Sequence, residues 1–235
     1  MITAASNSRI KRLVQLNQKS KLRRTEDVFL AEGVKMFLEA PREQLQEVYV
    51  SESFLEKCSC REHMEEVGYE VVSDSVFSKI SDTCTPQGVL CVLKQFHYNI
   101  EEMLRDKAPL FLLLENIQDP GNLGTMLRTG EGAGVSGIIM SRDTVDLYNP
   151  KVIRSTMGSI YRVPFYYADD FAAAVHQVQQ AGVSVYAAHL RGKNSYACQD
   201  YTKGTAFLIG NEGNGLREET AELADCYIRI PMEGK

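Results

Sequence analysis

Tryptophan is absent from this 235-residue chain, and histidine, at four residues, and proline, at seven, are scarce. Six cysteines are present, at 58, 60, 84, 91, 198 and 226, but none forms a C-x-x-C pair. Metal sites normally show paired ligands at short spacing, so no metal centre is expected and the thiols read as reduced. No apolar run approaches the roughly 18 residues that a membrane span needs. The opening MITAASNSRIKRL lacks the apolar core of a secretion signal, which points to a cytoplasmic protein. A net charge of −5 argues against a generic nucleic-acid binder.

The distribution of charge says more than its sum. Residues 1–24 carry seven basic side chains, Arg9, Lys11, Arg12, Lys19, Lys21, Arg23 and Arg24, and no acidic one. Such an arm contacts phosphates even on an acidic protein, because charge is screened within about 8 Å in physiological salt. On charge alone a solvated helix face explains it equally well.

At 44% hydrophobic and 24% charged, the chain can bury a core of its own. Residues 8–20 read as an amphipathic helix, and short strands at 29–31, 47–51, 69–72 and 88–93 alternate with helices at 53–67 and 73–80. This predicts a small α/β domain over residues 1–95, with a weakly patterned linker at 96–107 that has room for a short helix. From 108 onward the texture changes. Leu110–Leu114, 137–140, 183–187, 206–209 and 226–230 are continuous apolar runs, as parallel strands buried on both faces require. Helices over 124–133, 169–181 and 216–224 complete a second α/β domain, 108–235.

Polar turns follow three of these runs. In the first, Asp119-Pro120-Gly121-Asn122 is a turn by composition that opens a helix, with Arg128 about one and a half turns on. Taken alone, a capped turn with Arg128 in a surface salt bridge is the commoner meaning. The second, Gly210-Asn211-Glu212-Gly213-Asn214-Gly215, places three glycines in six residues. A carboxylate among them would repel a phosphate, so a neutral or cationic ligand fits better. Its spacing does not match G-x-G-x-x-G, which sets aside a nicotinamide oxidoreductase. The third, Ile230-Pro231-Met232-Glu233-Gly234-Lys235, halts just after a strand, so the sequence is expected to be incomplete.

Together these turns resemble the SpoU family of RNA 2′-O-methyltransferases, in the SPOUT superfamily. The first family motif is matched by Asn116, Asp119, Pro120, Asn122, Gly124, Arg128 and Thr129, the second by Gly210, Glu212, Gly213 and Gly215, and the third by Ile230, Pro231, Met232 and Gly234. Residues 1–95 are similar, more loosely, to the family's substrate-binding domain and to kink-turn-binding ribosomal proteins, through 6–11, 29–33 and 85–88.

The resemblance implies an α/β trefoil-knot methyltransferase domain behind a smaller N-terminal α/β domain. It also implies a homodimer with its site at the subunit interface, and S-adenosylmethionine as cofactor. Gly210, Ile230, Leu208, Met232 and Gly215 would bind the cofactor, and Arg128, Asn122 and Glu212 would form the catalytic set. Arg9, Lys11, Arg12, Lys21, Arg23 and Arg24 would contact RNA, rRNA before tRNA. A charged guanidinium accepts no hydrogen bond, so Arg128 is expected to grip a phosphate and stabilise an alkoxide, with Glu212 orienting it as a bidentate partner. The alternatives are the same chemistry on tRNA, or a non-catalytic RNA-binding protein.

Overall fold

A computed structural model describes all residues except Ser59 and Met232–Lys235. They form two compact units. Residues Met1–Phe96 with Asp146–Tyr161 make the first, and His97–Val145 with the described residues from Arg162 onward make the second.

The first unit opens with α1 (Ser8–Gln18), capped by the Asn7 side chain, which accepts the Arg9 amide. Ile10, Leu13 and Leu16 form its buried stripe. The sequence suggested one helix to residue 20, but Lys19 is extended and a second helix, α2 (Ser20–Glu26), starts after it. Then follow β1 (Val28–Glu32), α3 (Val34–Leu38), β2 (Leu45–Ser51), α4 (Glu52–Lys57), α5 (Arg61–Val67), β3 (Glu70–Val72), α6 (Asp74–Ile80) and β4 (Val89–Lys94). The sheet order is β1-β4-β2-β3, with β4 antiparallel to both neighbours and β3 parallel to β2.

The second unit begins at α7 (Ile100–Met103), inside the stretch that reads as a linker. Ile100 and Met103 are buried in the same core as Phe111. Next come β5 (Leu110–Leu114), α8 (Pro120–Ala133) and β6 (Gly137–Ser141). The chain then supplies α9 (Pro150–Thr156) to the first unit, where Val152, Ile153 and Thr156 are buried and the helix packs on β1. It returns as β7 (Phe165–Ala168), α10 (Phe171–Gln180), β8 (Ser184–Ala188), β9 (Asn194–Ser195), β10 (Thr205–Ile209), α11 (Glu218–Ala221) and β11 (Cys226–Arg229). The seven strands run β7-β6-β5-β10-β8-β11-β9, and every pairing is parallel. The expected α/β class with a parallel sheet therefore holds. Parallel strands align their carboxyl ends, so the turns after β5 and β10 leave one edge of the sheet side by side.

An ion pair beside α9 adds to its packing on β1. Arg23, 3% exposed, donates to the Leu16 and Asn17 carbonyls at the end of α1 and pairs with Asp146 at 2.6 Å. Nearby, the Tyr148 hydroxyl accepts from the Phe96 amide and donates to its carbonyl. Removing one member of a buried pair strands the other charge. Asp146→Ala is therefore expected to cost the first unit about 3 kcal/mol, read as a lower urea midpoint. The double variant Arg23→Met/Asp146→Leu should recover most of that loss. A midpoint unchanged in Asp146→Ala would show that the pair contributes nothing.

Candidate active site

The site is assembled from the turns after β5 and β10. The residues leaving β5 are Glu115, Asn116, Ile117 and Gln118, and they reach the helix α8 at Asp119. Asn116 takes φ +55°, a left-handed conformation that asparagine tolerates better than most residues with a side chain. Its amide donates to Ser141 Oγ, and the Val145 amide donates to the Ile117 carbonyl, so the turn is braced by the segment after β6. Asp119 caps α8 by accepting the Asn122 amide at 2.8 Å, with Pro120 in the first helical turn, where its missing N–H costs nothing.

The turn leaving β10 closes on itself. Asn211 and Gly215 exchange both backbone hydrogen bonds, and Asn211 Oδ1 accepts the amides of Gly213 and Asn214. Gly210 is required here. A Cβ at that position would collide with the Gly215 carbonyl group and the Leu216 amide.

Two carboxylates join the turns, one travelling each way. From the second turn, Glu212 accepts the amides of Gln118 at 3.1 Å and Asp119 at 3.0 Å, and the Asn122 side-chain amide at 3.2 Å. From the first, Glu115, 1% exposed, accepts the Arg217 amide at 2.9 Å and the Thr220 hydroxyl at 2.5 Å. Asn211 Nδ2 adds a third tie by donating to the Asn116 carbonyl. The Arg217 guanidinium completes the network by pairing with Asp143. Partial burial pulls the Glu212 carboxyl upward, but the donated amides outweigh it and hold it below the usual carboxylate range.

The turns that carry Asn122 and Gly210 thus meet at one edge of the sheet. The expected pairing of Glu212 with Arg128 is absent among the described residues, because the carboxylate is taken by amides of the neighbouring turn. Arg128 is exposed on α8 and has no hydrogen-bonded or ionic partner among the described residues. Leu208 is also placed differently from expectation. It sits inside β10 between β5 and β8, with its side chain in the core, so it supports the turn and offers no polar group to a ligand. Gly215, at φ +71°, and Ile230 are exposed at the edge, whereas Met232 lies outside the described residues.

Sequence reasoning missed Glu115, Asn211 and the segment after β8. In that segment the His189 amide donates to the Ile228 carbonyl of β11, and Gly192 packs so closely on Ile228 that no Cβ fits. Leu190 stands 89% exposed there, and Ile230, beyond the end of the adjacent β11, is also exposed. Apolar side chains presented at neighbouring strand ends suit an aromatic ligand. A glycine and a histidine after an apolar run were the only signals in the sequence.

In the first unit, Lys11, Lys21 and Arg24 are exposed without ion pairs among the described residues. Arg9 is exposed but pairs with Glu70. Arg12 is held between Glu26 and Glu47, and Arg23 is buried as described above. Arg23 therefore leaves the set of phosphate contacts, because its charge is committed to the fold. Arg12 is half-buried and neutralised twice.

Known proteins share these features. Residues 109–235 match the SpoU rRNA Methylase family, and residues 7–91 match the MRM3-like substrate binding domain. The chain is 30% identical over 237 residues to the 23S rRNA (guanosine(2553)-2′-O)-methyltransferase RlmP of Bacillus subtilis, covering 100% of this chain and 91% of that protein. The AdoMet-bound rRNA methyltransferase from Sinorhizobium meliloti has a similar structure, with a TM-score of 0.85 at 30% identity over 100% of this chain and 89% of that one. The SpoU methyltransferase AviRb from Streptomyces viridochromogenes, solved with AdoMet, supports the fold at 23% identity, with a TM-score of 0.86 over 97% and 90% of the two chains.

If Glu212 clasps the first turn, Glu212→Ala should speed amide hydrogen exchange at Gln118 and Asp119 by about tenfold, the loss of one charge-assisted bond. Because the folded carboxyl titrates below its unfolded value, its contribution is present above about pH 4.3 and is lost as pH falls through the folded value. Exchange protection in the wild type should collapse in that acid window and be featureless from pH 6 to 8. Equal protection in Glu212→Ala would remove the clasp.

Proposed function

The chain belongs to the SpoU rRNA methylase family, and from that premise we propose that it methylates a ribose 2′-hydroxyl of rRNA at the joined turns. The observation that carries the reading is the meeting of the Asn122 and Gly210 turns through Glu212. S-adenosylmethionine, when bound, supplies an electrophilic methyl group on a sulfonium. The residues present fit it. The Gly210–Gly215 turn offers exposed backbone to the cofactor, and Leu190 and Ile230 offer apolar surface to an adenosine. Gly210, Gly215 and Ile230 would hold the cofactor, joined by Met232.

The chain's own residues then have separate tasks. Asn122 turns its NH2 toward Glu212, because a carboxylate only accepts. That leaves Asn122 Oδ1 turned outward, without a partner among the described residues, as an acceptor for a ribose hydroxyl hydrogen. A guanidinium accepts no hydrogen bond, so Arg128 serves by electrostatics, holding the neighbouring phosphate and stabilising the oxygen as its proton passes to solvent water. An exposed, unpaired Arg128 agrees with a homodimer in which a second copy completes the site. The family's trefoil knot and a cytoplasmic location belong to the same proposal. No helix among the described residues is long and apolar enough to cross a membrane. Lys11, Lys21 and Arg24 are the proposed phosphate contacts of the first unit, with Arg9 beside them.

Calorimetry with S-adenosylmethionine, together with methyl transfer to an unmodified 23S rRNA transcript mapped for 2′-O-methyl sites, tests this reading. Arg128→Ala should lower kcat by at least about 100-fold and leave cofactor affinity within about twofold. Arg128→Lys should restore only a small part, because the planar fork is lost. Full activity in Arg128→Lys would defeat the electrostatic role, and a chain that does not bind the cofactor would be a non-catalytic RNA binder.

A further inference from the structure

A cavity of about 230 Å³ lies in the first unit, apart from the turns after β5 and β10. Gly33, Lys35, Met36 and Gln87 line it from the first 95 residues, and Arg154 and Met157 line it from the segment carrying α9. Each contributes something that one nucleotide needs.

Met157 follows α9 and takes φ +53°, a conformation disfavoured for any residue with a Cβ, yet its side chain remains 43% exposed. An exposed thioether is a soft, polarizable surface for an aromatic ring. Gln87 is fixed in orientation, because its Oε1 accepts the Val34 amide at 2.9 Å. Its NH2 is thereby left with two donors and no partner among the described residues. Gly33, at φ +112°, keeps this arrangement open, since a Cβ there would come 3.0 Å from Gln87 Oε1.

Charge completes the site. Lys35 pairs with Glu39 at 3.6 Å and Arg154 with Asp82 at 3.1 Å, and both pairs are open to solvent. Such pairs are weak, so either cation can exchange its partner for a phosphate. Glu32 also lines the cavity, but its carboxylate already accepts the Ser81 and Thr83 hydroxyls and the Asp82 amide. These three donors occupy most of its lone pairs and leave one acceptor position on Oε2.

We propose that this cavity binds one unstacked nucleotide of the substrate RNA, its base against Met157 and the Gln87 amide and its phosphate on Arg154 and Lys35. Single-stranded loops and bulges can splay a base into such a pocket, whereas a continuous duplex cannot. The site is a recognition subsite and takes no part in methyl transfer. It rests on the RNA methyltransferase reading and adds to it that two of the pocket's lining residues, Arg154 and Met157, come from chain that follows the first SpoU motif.

The test uses the full chain and an unmodified 23S rRNA transcript. Met157→Gly deletes the platform and should not unfold the protein, because glycine adopts this φ without strain. Arg154→Gln removes one cation. Each variant should weaken transcript binding by about five- to tenfold with cofactor affinity unchanged. The salt dependence separates their roles. Arg154→Gln should reduce the slope of log affinity against log salt by about one, and Met157→Gly should leave it unaltered. Wild-type affinity in Met157→Gly, or a loss confined to the charge variant, overturns the nucleotide pocket while methylation by the wild type stands. A wild type that binds neither cofactor nor transcript overturns both readings.

Discussion

Backbone amides at the end of a strand need acceptors, and at this sheet edge each turn obtains them from a carboxylate of the other. Glu212 reaches from the β10 turn to the amides of Gln118 and Asp119, and Glu115 reaches from the β5 turn to the amide of Arg217. Charge-assisted bonds of this kind are shorter and stronger than those between neutral groups. The two acids differ in setting. Glu115 is enclosed and serves the frame, whereas Glu212 is exposed and touches Asn122. Neither turn can move far without breaking bonds in the other, so the geometry of the whole edge follows from this exchange. The glycine at 210 belongs to the same constraint, since the second turn cannot approach the first with a side chain there.

Much of this was legible in the amino-acid order. The run Leu110–Leu114 had to be buried on both faces, and so did the run ending at Ile209. Polar turns follow both runs, at the strand ends where open α/β sheets place ligands. What the order concealed was partner choice. Glu212 reads as a mate for Arg128 because opposite charges in one motif set suggest a pair, yet free amides at a helix start compete for the same carboxylate and win. Arg23 reads as one of a row of surface cations, because nothing in a basic run tells which member will turn inward to cap a helix.

The segment 146–161 was opaque for a different reason. The positions Val152, Ile153 and Thr156 specify a buried helical face, but periodicity carries no address. A helix between two parallel strands is normally expected to cover their own sheet. Here the connection from Ser141 to Phe165 supplies its helix to β1 of the other unit, and the aromatic strand Phe165–Ala168 that follows was missed along with it.

That loan makes the protein indivisible in a practical sense. A gene cut at Phe96 would encode a four-stranded sheet with the α9-covered side of β1 bare and with Arg23 deprived of its counter-ion. Deleting 146–161 from the other piece would sever the path between two adjacent strands. The recognition half and the chemical half therefore cannot be exchanged between proteins as beads on a string.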